Sequence, residues 1–221
     1  MLDSLVSLIA PHHCYMCRVA GPALCVHCIY NIKNEASLGC FYCNVPSLTG
    51  VCPRCISRSP FSHFFVVGQR QDELKQLLDD YKFNRAYALH QALATLLDAI
   101  LPFLPLNTVI IPLPTISRHQ RIRGYDHTNL LARTVAQRRG LVKCTLLKRK
   151  TNSVQRGASA KQRHEQAQRA YYCDTLLNPA TPYLLIDDIV TTGATMRAAA
   201  GCLKAAGAQT IMAAAIARQI L

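Results

Sequence analysis

Eight of the eleven cysteines fall in four Cys-x-x-Cys pairs near the start of the chain: Cys14/Cys17, Cys25/Cys28, Cys40/Cys43 and Cys52/Cys55. This spacing limits what the first 58 residues can be. A Cys-x-x-Cys turn points two thiolates at one tetrahedral metal, so two turns complete a four-thiolate zinc centre and four turns complete two. The pairs are separated by 7, 11 and 8 residues. Loop-closure entropy favours sequential pairing, turns one and two on one ion and turns three and four on another. A crossed arrangement, first with third and second with fourth, stays open at this stage. The competing reading is a disulfide framework, against which stand the strict two-residue spacing and a reducing compartment. With four thiolates per ion no position is left for a water nucleophile, so the expected role of the zinc is structural. A segment of this size with few regular elements needs the metal to fold. His12, His13 and His27 are expected to face solvent, and Cys144, Cys173 and Cys202 to be small buried residues.

Beyond residue 58 the pattern changes to that of a domain with its own core, 59–221. Phe64 to Val67 reads as a strand. Leu89, Leu93, Leu96, Leu97 and Ile100 recur at helical spacing. Thr108 to Ile111 is a second strand, Tyr125 to Arg138 a helix with Gly140 as its C-cap, and Tyr183 to Ile186 a third strand. Thr195 to Ala206 reads as a helix stopped by Gly207, and Ile211 to Ile216 as a last strand. Strands alternating with helices of this length predict an α/β fold built on a parallel sheet flanked by helices.

Half of the 221 residues are hydrophobic, which excludes a disordered chain, and no stretch is long and apolar enough to span a bilayer. Met1 to Ala10 is apolar but short, carries Asp3 and lacks a basic n-region, so the expected location is the cytoplasm. The net charge of +13 is unevenly placed: 14 of the 25 Lys and Arg residues lie between Arg118 and Arg169, against Asp126 and Glu165 alone. A block of this kind attracts phosphates, of a small ligand or of a nucleic-acid backbone. Residues 148–170 are basic, polar and poor in large apolar groups, and are expected to form a mobile loop.

The segment Tyr183-Leu184-Leu185-Ile186-Asp187-Asp188-Ile189-Val190-Thr191-Thr192-Gly193-Ala194-Thr195 carries the chemistry. An apolar strand runs into two acids, then into hydroxyls and a glycine at a helix start. Backbone N–H groups and the helix dipole there hold a phosphate. Gly193 lets the backbone approach an anion closely, and acids at the strand end suit the hydroxyls of a ribose.

This run resembles the phosphoribosyl-pyrophosphate (PRPP) signature of type I phosphoribosyltransferases. The resemblance implies that Asp187 and Asp188 contact the ribose hydroxyls, that Thr191, Thr192, Gly193, Ala194 and Thr195 hold the 5′-phosphate, and that Mg²⁺ arrives with PRPP. Joined to the cysteine array, the domain is similar to the ComF/GntX group, linked to DNA uptake and utilisation in bacteria. Lys82-Phe83, Ile111-Pro112-Leu113-Pro114, Arg118, Arg121 to Tyr125, Gln155, Ser159, Arg163 and Tyr171 match that group. By the same resemblance Arg118, Arg121, Arg123, Gly124 and Arg163 are candidates for the pyrophosphate. The chain departs from the group at Asp126-His127, where Asn-Gln is usual, and at Gln166, where Asn is common. The resemblance implies a protein of natural competence that binds PRPP and single-stranded DNA and meets other DNA-uptake proteins. The alternative is an active transferase moving 5-phosphoribosyl from PRPP to a nitrogen acceptor, for which no activating base can be named. Tyr15, Phe41, Tyr42, Phe61, Phe64 and Phe65 are candidate stacking platforms for bases, with packing around the metal as their expected role.

Overall fold

The computed structural model describes residues 13–34, 39–83, 87–115, 124–149 and 170–219. Its central strands are β1 (His63–Gln69), β2 (Val109–Pro112), β3 (Val142–Lys143), β6 (Tyr183–Val190) and β7 (Ile211–Arg218). They form a five-stranded, fully parallel sheet in the order β1-β7-β6-β2-β3. Strand β7, Ile-Met-Ala-Ala-Ala-Ile-Ala-Arg, is buried along nearly its whole length. A parallel strand covered on both faces reads as a continuous apolar run rather than an alternation.

Alternate strand residues face two separate cores. Phe65, Val67, Ile110, Leu184, Ile186, Met212, Ala214 and Ile216 face one side, where they meet α3 (Asp72–Phe83), α4 (Leu89–Ile100) and α5 (His127–Arg139). Phe64, Ile111, Leu185, Ala213 and Ala215 face the other, against α6 (Ala194–Ala205). The period of two along each strand produces this division. Asp126 caps α5 by accepting a hydrogen bond from the Asn129 N–H at 3.1 Å, and Gly140 ends the helix in the left-handed region at φ 64°.

The N-terminal segment holds α1 (Val26–Asn34) and the short α2 (Pro53–Ile56), regular elements that its sequence did not announce. Its two halves straddle the sheet. Cys14, Leu24, Cys28 and Ile32 join the core beside α3 and α4, whereas Cys40, Phe41, Cys52 and Cys55 join the core beside α6. The segment thereby flanks the edge strand β1, whose Phe64 N–H donates to the Thr49 carbonyl at 2.8 Å. Covering an edge in this way removes a template for pairing with other chains.

Three expectations need adjusting. Strand β6 continues to Val190, so both acids lie within a strand and not beyond its end. The ends of the 148–170 segment are ordered as an antiparallel ribbon, β4 (Lys148–Arg149) against β5 (Tyr171–Tyr172), while residues 150–169 lie outside the described residues. Cys144, Cys173 and Cys202 are part-buried rather than buried.

Candidate functional site

The cysteines gather as two groups, Cys14/Cys17/Cys25/Cys28 and Cys40/Cys43/Cys52/Cys55, with all sulfurs of a group within 4.8 Å of one another. Sequential pairing is therefore the arrangement adopted. The two groups are built alike. Cys14 N–H donates to Val19 O at 2.8 Å and Cys40 N–H to Val45 O at 2.7 Å, and Arg18 and Asn44 both take positive φ, 62° and 59°. Sγ–Sγ distances of 3.7 Å (Cys17–Cys25) and 3.5 Å (Cys43–Cys52) exceed the ~2.05 Å of a disulfide. They suit two sulfurs each about 2.3 Å from one tetrahedral ion.

The donors are prepared for a cation. Burial opposes ionisation of Cys14, but N–H groups of Cys25, Cys17 and Met16 outweigh it and bring the thiol down to about 6. Cys40 is drawn down to about 6 in the same way, burial being overcome by N–H groups of Cys52, Tyr42 and Cys43. Burial, and then hydrogen bonds with the adjacent thiols, push Cys28 up to about 12. Both groups fit a structural metal by sulfur count, spacing and N–H support.

The second site follows from topology. The helix after β2 lies on one face of the sheet and the helix after β6 on the other, yet β2 and β6 are neighbours. A crevice opens at such a switch point beyond the carboxyl ends of the strands. Here a cleft of about 260 Å³ is lined by Leu113, Pro114 and Thr115 after β2, Asp187 of β6 and Thr195 of α6. Lys82, His127, Thr128, Arg149 and Tyr171 complete its wall. Two residues before Thr195, Gly193 is the N-cap of α6, with φ 70°. Thr191, Thr192 and Thr195 are exposed, and Arg197 donates to the Thr192 carbonyl at 2.8 Å. A Cβ on Gly193 would lie 2.7 Å from the Phe41 ring. The glycine thus answers to its φ and to Phe41 as well as to any anion.

The two acids are not equivalent. Asp188 is 4% exposed, and its Oδ2 lies 2.7 Å from Lys82 Nζ and 2.7 Å from His127 Nε2. Burial opposes its ionisation, but the Lys82 ammonium and His127 hold the carboxyl well below the usual range. Among the described residues Asp187 forms no ion pair, and the Lys82 charge acts on it less than burial does. Burial and then the Asp188 charge push its carboxyl well above the usual range. Its Oδ1 accepts the Asp188 N–H at 2.9 Å. Asp187 lines the cleft and Asp188 anchors the wall behind it.

Of the remaining candidates, Gly124 takes φ 83° on the approach to α5. Arg118, Arg121, Arg123 and Arg163 lie outside the described residues. Phe41, Phe61, Phe64 and Phe65 are buried. They are packing residues rather than platforms for bases, as expected. Lys148 pairs with Asp174 at 2.6 Å, and Arg149 donates to the Tyr171 hydroxyl at 3.2 Å. His127 is the residue whose place in the site had gone unread. It stands where the chain departs from the group it resembles, and that departure was the available signal.

Fold and site together define an α/β protein with a doubly covered parallel sheet, a strand–turn–helix beside the cleft at its switch point and a module of two four-cysteine groups. The chain is 28% identical over 220 residues to competence protein F of Haemophilus influenzae, covering 93% of this chain and 96% of that protein. It is 26% identical over 219 residues to DNA utilization protein YhgH of Salmonella typhi, covering 92% and 96%. It is 23% identical over 222 residues to YhgH of Escherichia coli K12, again covering 92% and 96%. No protein-family model matches the chain. The full-length likeness to these proteins supports the resemblance to the ComF group.

Proposed function

We propose that this protein acts in DNA uptake or utilisation by binding PRPP in the switch-point cleft and single-stranded DNA along its basic surface. The observation that carries the reading is the convergence of Asp187 and Thr195 on one cleft, with Thr195 two residues after the Gly193 turn. An exposed threonine pair and a helix start suit a 5′-phosphate, and Asp187 suits a ribose hydroxyl. The Mg²⁺ would come on the diphosphate, and the arginines of 118–123 and Arg163 would pair with the remaining negative charge of the diphosphate. Zinc is the metal that best fits two all-thiolate tetrahedral groups, one ion in each. In this reading residues 1–58 are the zinc module and 59–221 the ligand domain.

The names of the relatives support the DNA role, and so does the net charge of +13. Among the described residues no helix is long and apolar enough to cross a membrane. Free thiols support a reducing compartment, the cytoplasm, where other DNA-uptake proteins are the expected partners.

Calorimetric titration with PRPP and Mg²⁺ tests the ligand. Wild type should bind, and Thr195→Val should bind more weakly by about 1–2 kcal/mol through loss of one hydroxyl. A wild type that takes up no PRPP overturns the assignment. Pyrophosphate release in the presence of nitrogen acceptors would make the protein a transferase as well.

A further inference from the structure

The second cysteine group and the phosphate turn meet at one side chain. Phe41 follows Cys40 directly, within the turn that carries Cys40 and Cys43. Its ring stacks on Phe64 of β1 at 4.0 Å with an interplanar angle of 5°. The guanidinium of Arg218, at the end of β7, lies over the ring at 4.6 Å and donates to Asn44 Oδ1 at 2.9 Å. The ring's Cε1 and Cζ stand 2.7 and 2.9 Å from where a Cβ on Gly193 would be. The aromatic is thus gripped by the sheet, by Arg218 and by its own cysteine turn, and Gly193 closes against it.

Neither of the middle residues of a Cys-x-x-Cys turn has to be buried for the turn to bind metal, yet Phe41 is 5% exposed. In the first group the equivalent position is Tyr15, which hydrogen-bonds Asp80 on α3, far in sequence from the phosphate turn. The two groups share a backbone design but place the side chain after their first cysteine on different elements.

We propose that Phe41 is a positioning residue for the phosphate turn, through which the second thiolate centre sets the affinity of the ligand cleft. The inference rests on the phosphate-ligand reading given above. The turn at Gly193 has a positive φ and is tied within itself, the Thr192 hydroxyl accepting from the Ala194 N–H at 3.4 Å and the Thr192 carbonyl from Arg197 at 2.8 Å. These bonds fix its shape, and packing against Phe41 fixes where it stands. Loss of the ring, or of the thiolate cage that orients it, lets the Gly193 turn relax into the space. Binding energy would then be spent on restoring it. Linkage is reciprocal, so a ligand at the turn must also alter the second thiolate centre and leave the first one unaltered.

The test uses the full-length, metal-loaded protein and ribose 5-phosphate, with PRPP and Mg²⁺ as a second probe. Phe41→Leu should weaken ribose 5-phosphate by about tenfold, a usual size for coupled sites. Phe61→Leu is the control. It is also buried, at 1% exposure, and meets Phe64 edge-on at 5.2 Å, one ring further along the same cluster. It should lose stability but keep the affinity. Cadmium-113 NMR supplies the second readout, with the two centres assigned by the signal missing from Cys17→Ser and from Cys43→Ser. Ribose 5-phosphate should shift the signal that Cys43→Ser removes. Equal affinity loss in Phe41→Leu and Phe61→Leu overturns the proposal, as does a titration in which the ligand binds and the second centre's signal stays still. A wild type that binds neither probe removes the ligand reading and the inference with it.

Discussion

Asp187 and Asp188 are adjacent in one strand, yet replacing each by asparagine should have opposite consequences for stability. Asp188→Asn removes the charge that Lys82 Nζ approaches to 2.7 Å, and the Lys82 side chain is only 13% exposed. Breaking a buried pair by removing one partner costs about 3–5 kcal/mol. Partial exposure places the expected value near 3 kcal/mol, at the lower end of that range. Asp187→Asn replaces a carboxyl already pushed up by burial and by Asp188, and keeps its acceptor for the Asp188 N–H. It should be neutral or stabilising.

The pH dependence separates the two further. Asp188 is held below its unfolded value of about 3.9, so its stabilisation is full above that pH and is lost as the pH falls through the folded value. Asp187 is raised, so its folded form is favoured below about pH 3.9 and loses ground as the pH rises through its folded value. Urea unfolding at pH 5, 7 and 8, read by linear extrapolation, measures both differences. The Asp187→Asn advantage should not shrink as the pH rises, and the Asp188→Asn deficit should persist at all three. Equal losses in the two variants would refute the assignment of Lys82 to Asp188 alone.

The other expectations are simpler. Elemental analysis of reduced protein should give close to two zinc per chain, and Cys14→Ser should destabilise the N-terminal segment far more than Cys202→Ser. Tyr81→Phe removes the hydroxyl that donates to the buried His127 carbonyl at 2.7 Å, and should lower the unfolding free energy by about 1–2 kcal/mol in the same urea assay. Single-strand affinity should fall with salt, and replacing Lys148, Arg149 and Lys150 by Ala should flatten the log–log slope by up to about two units in a fluorescence titration. Because Lys148 and Arg149 also tie down the β4–β5 ribbon, the slope is the informative readout and thermal stability the control.

Short-range bonding made much of this protein legible in its sequence. A Cys-x-x-Cys turn is closed by its own backbone, so the eight cysteines that gather could be named and their sequential grouping preferred from the spacers alone. A strand running into two acids, a glycine and threonines specifies a strand–turn–helix within about a dozen residues. The parallel sheet followed from alternating apolar runs. What tertiary structure decided lies between residues far apart in the chain. Lys82 and His127 meet Asp188 only because α3, α5 and β6 converge at the switch point, and that meeting makes one acid a wall anchor and leaves its neighbour to the cleft. Phe41 reaches Gly193 only because the module straddles an edge strand, with one thiolate group on each face of the sheet. A local pattern states what a residue can bind. Which partner it meets, and whether water is excluded when it does, depends on packing that no window of sequence contains.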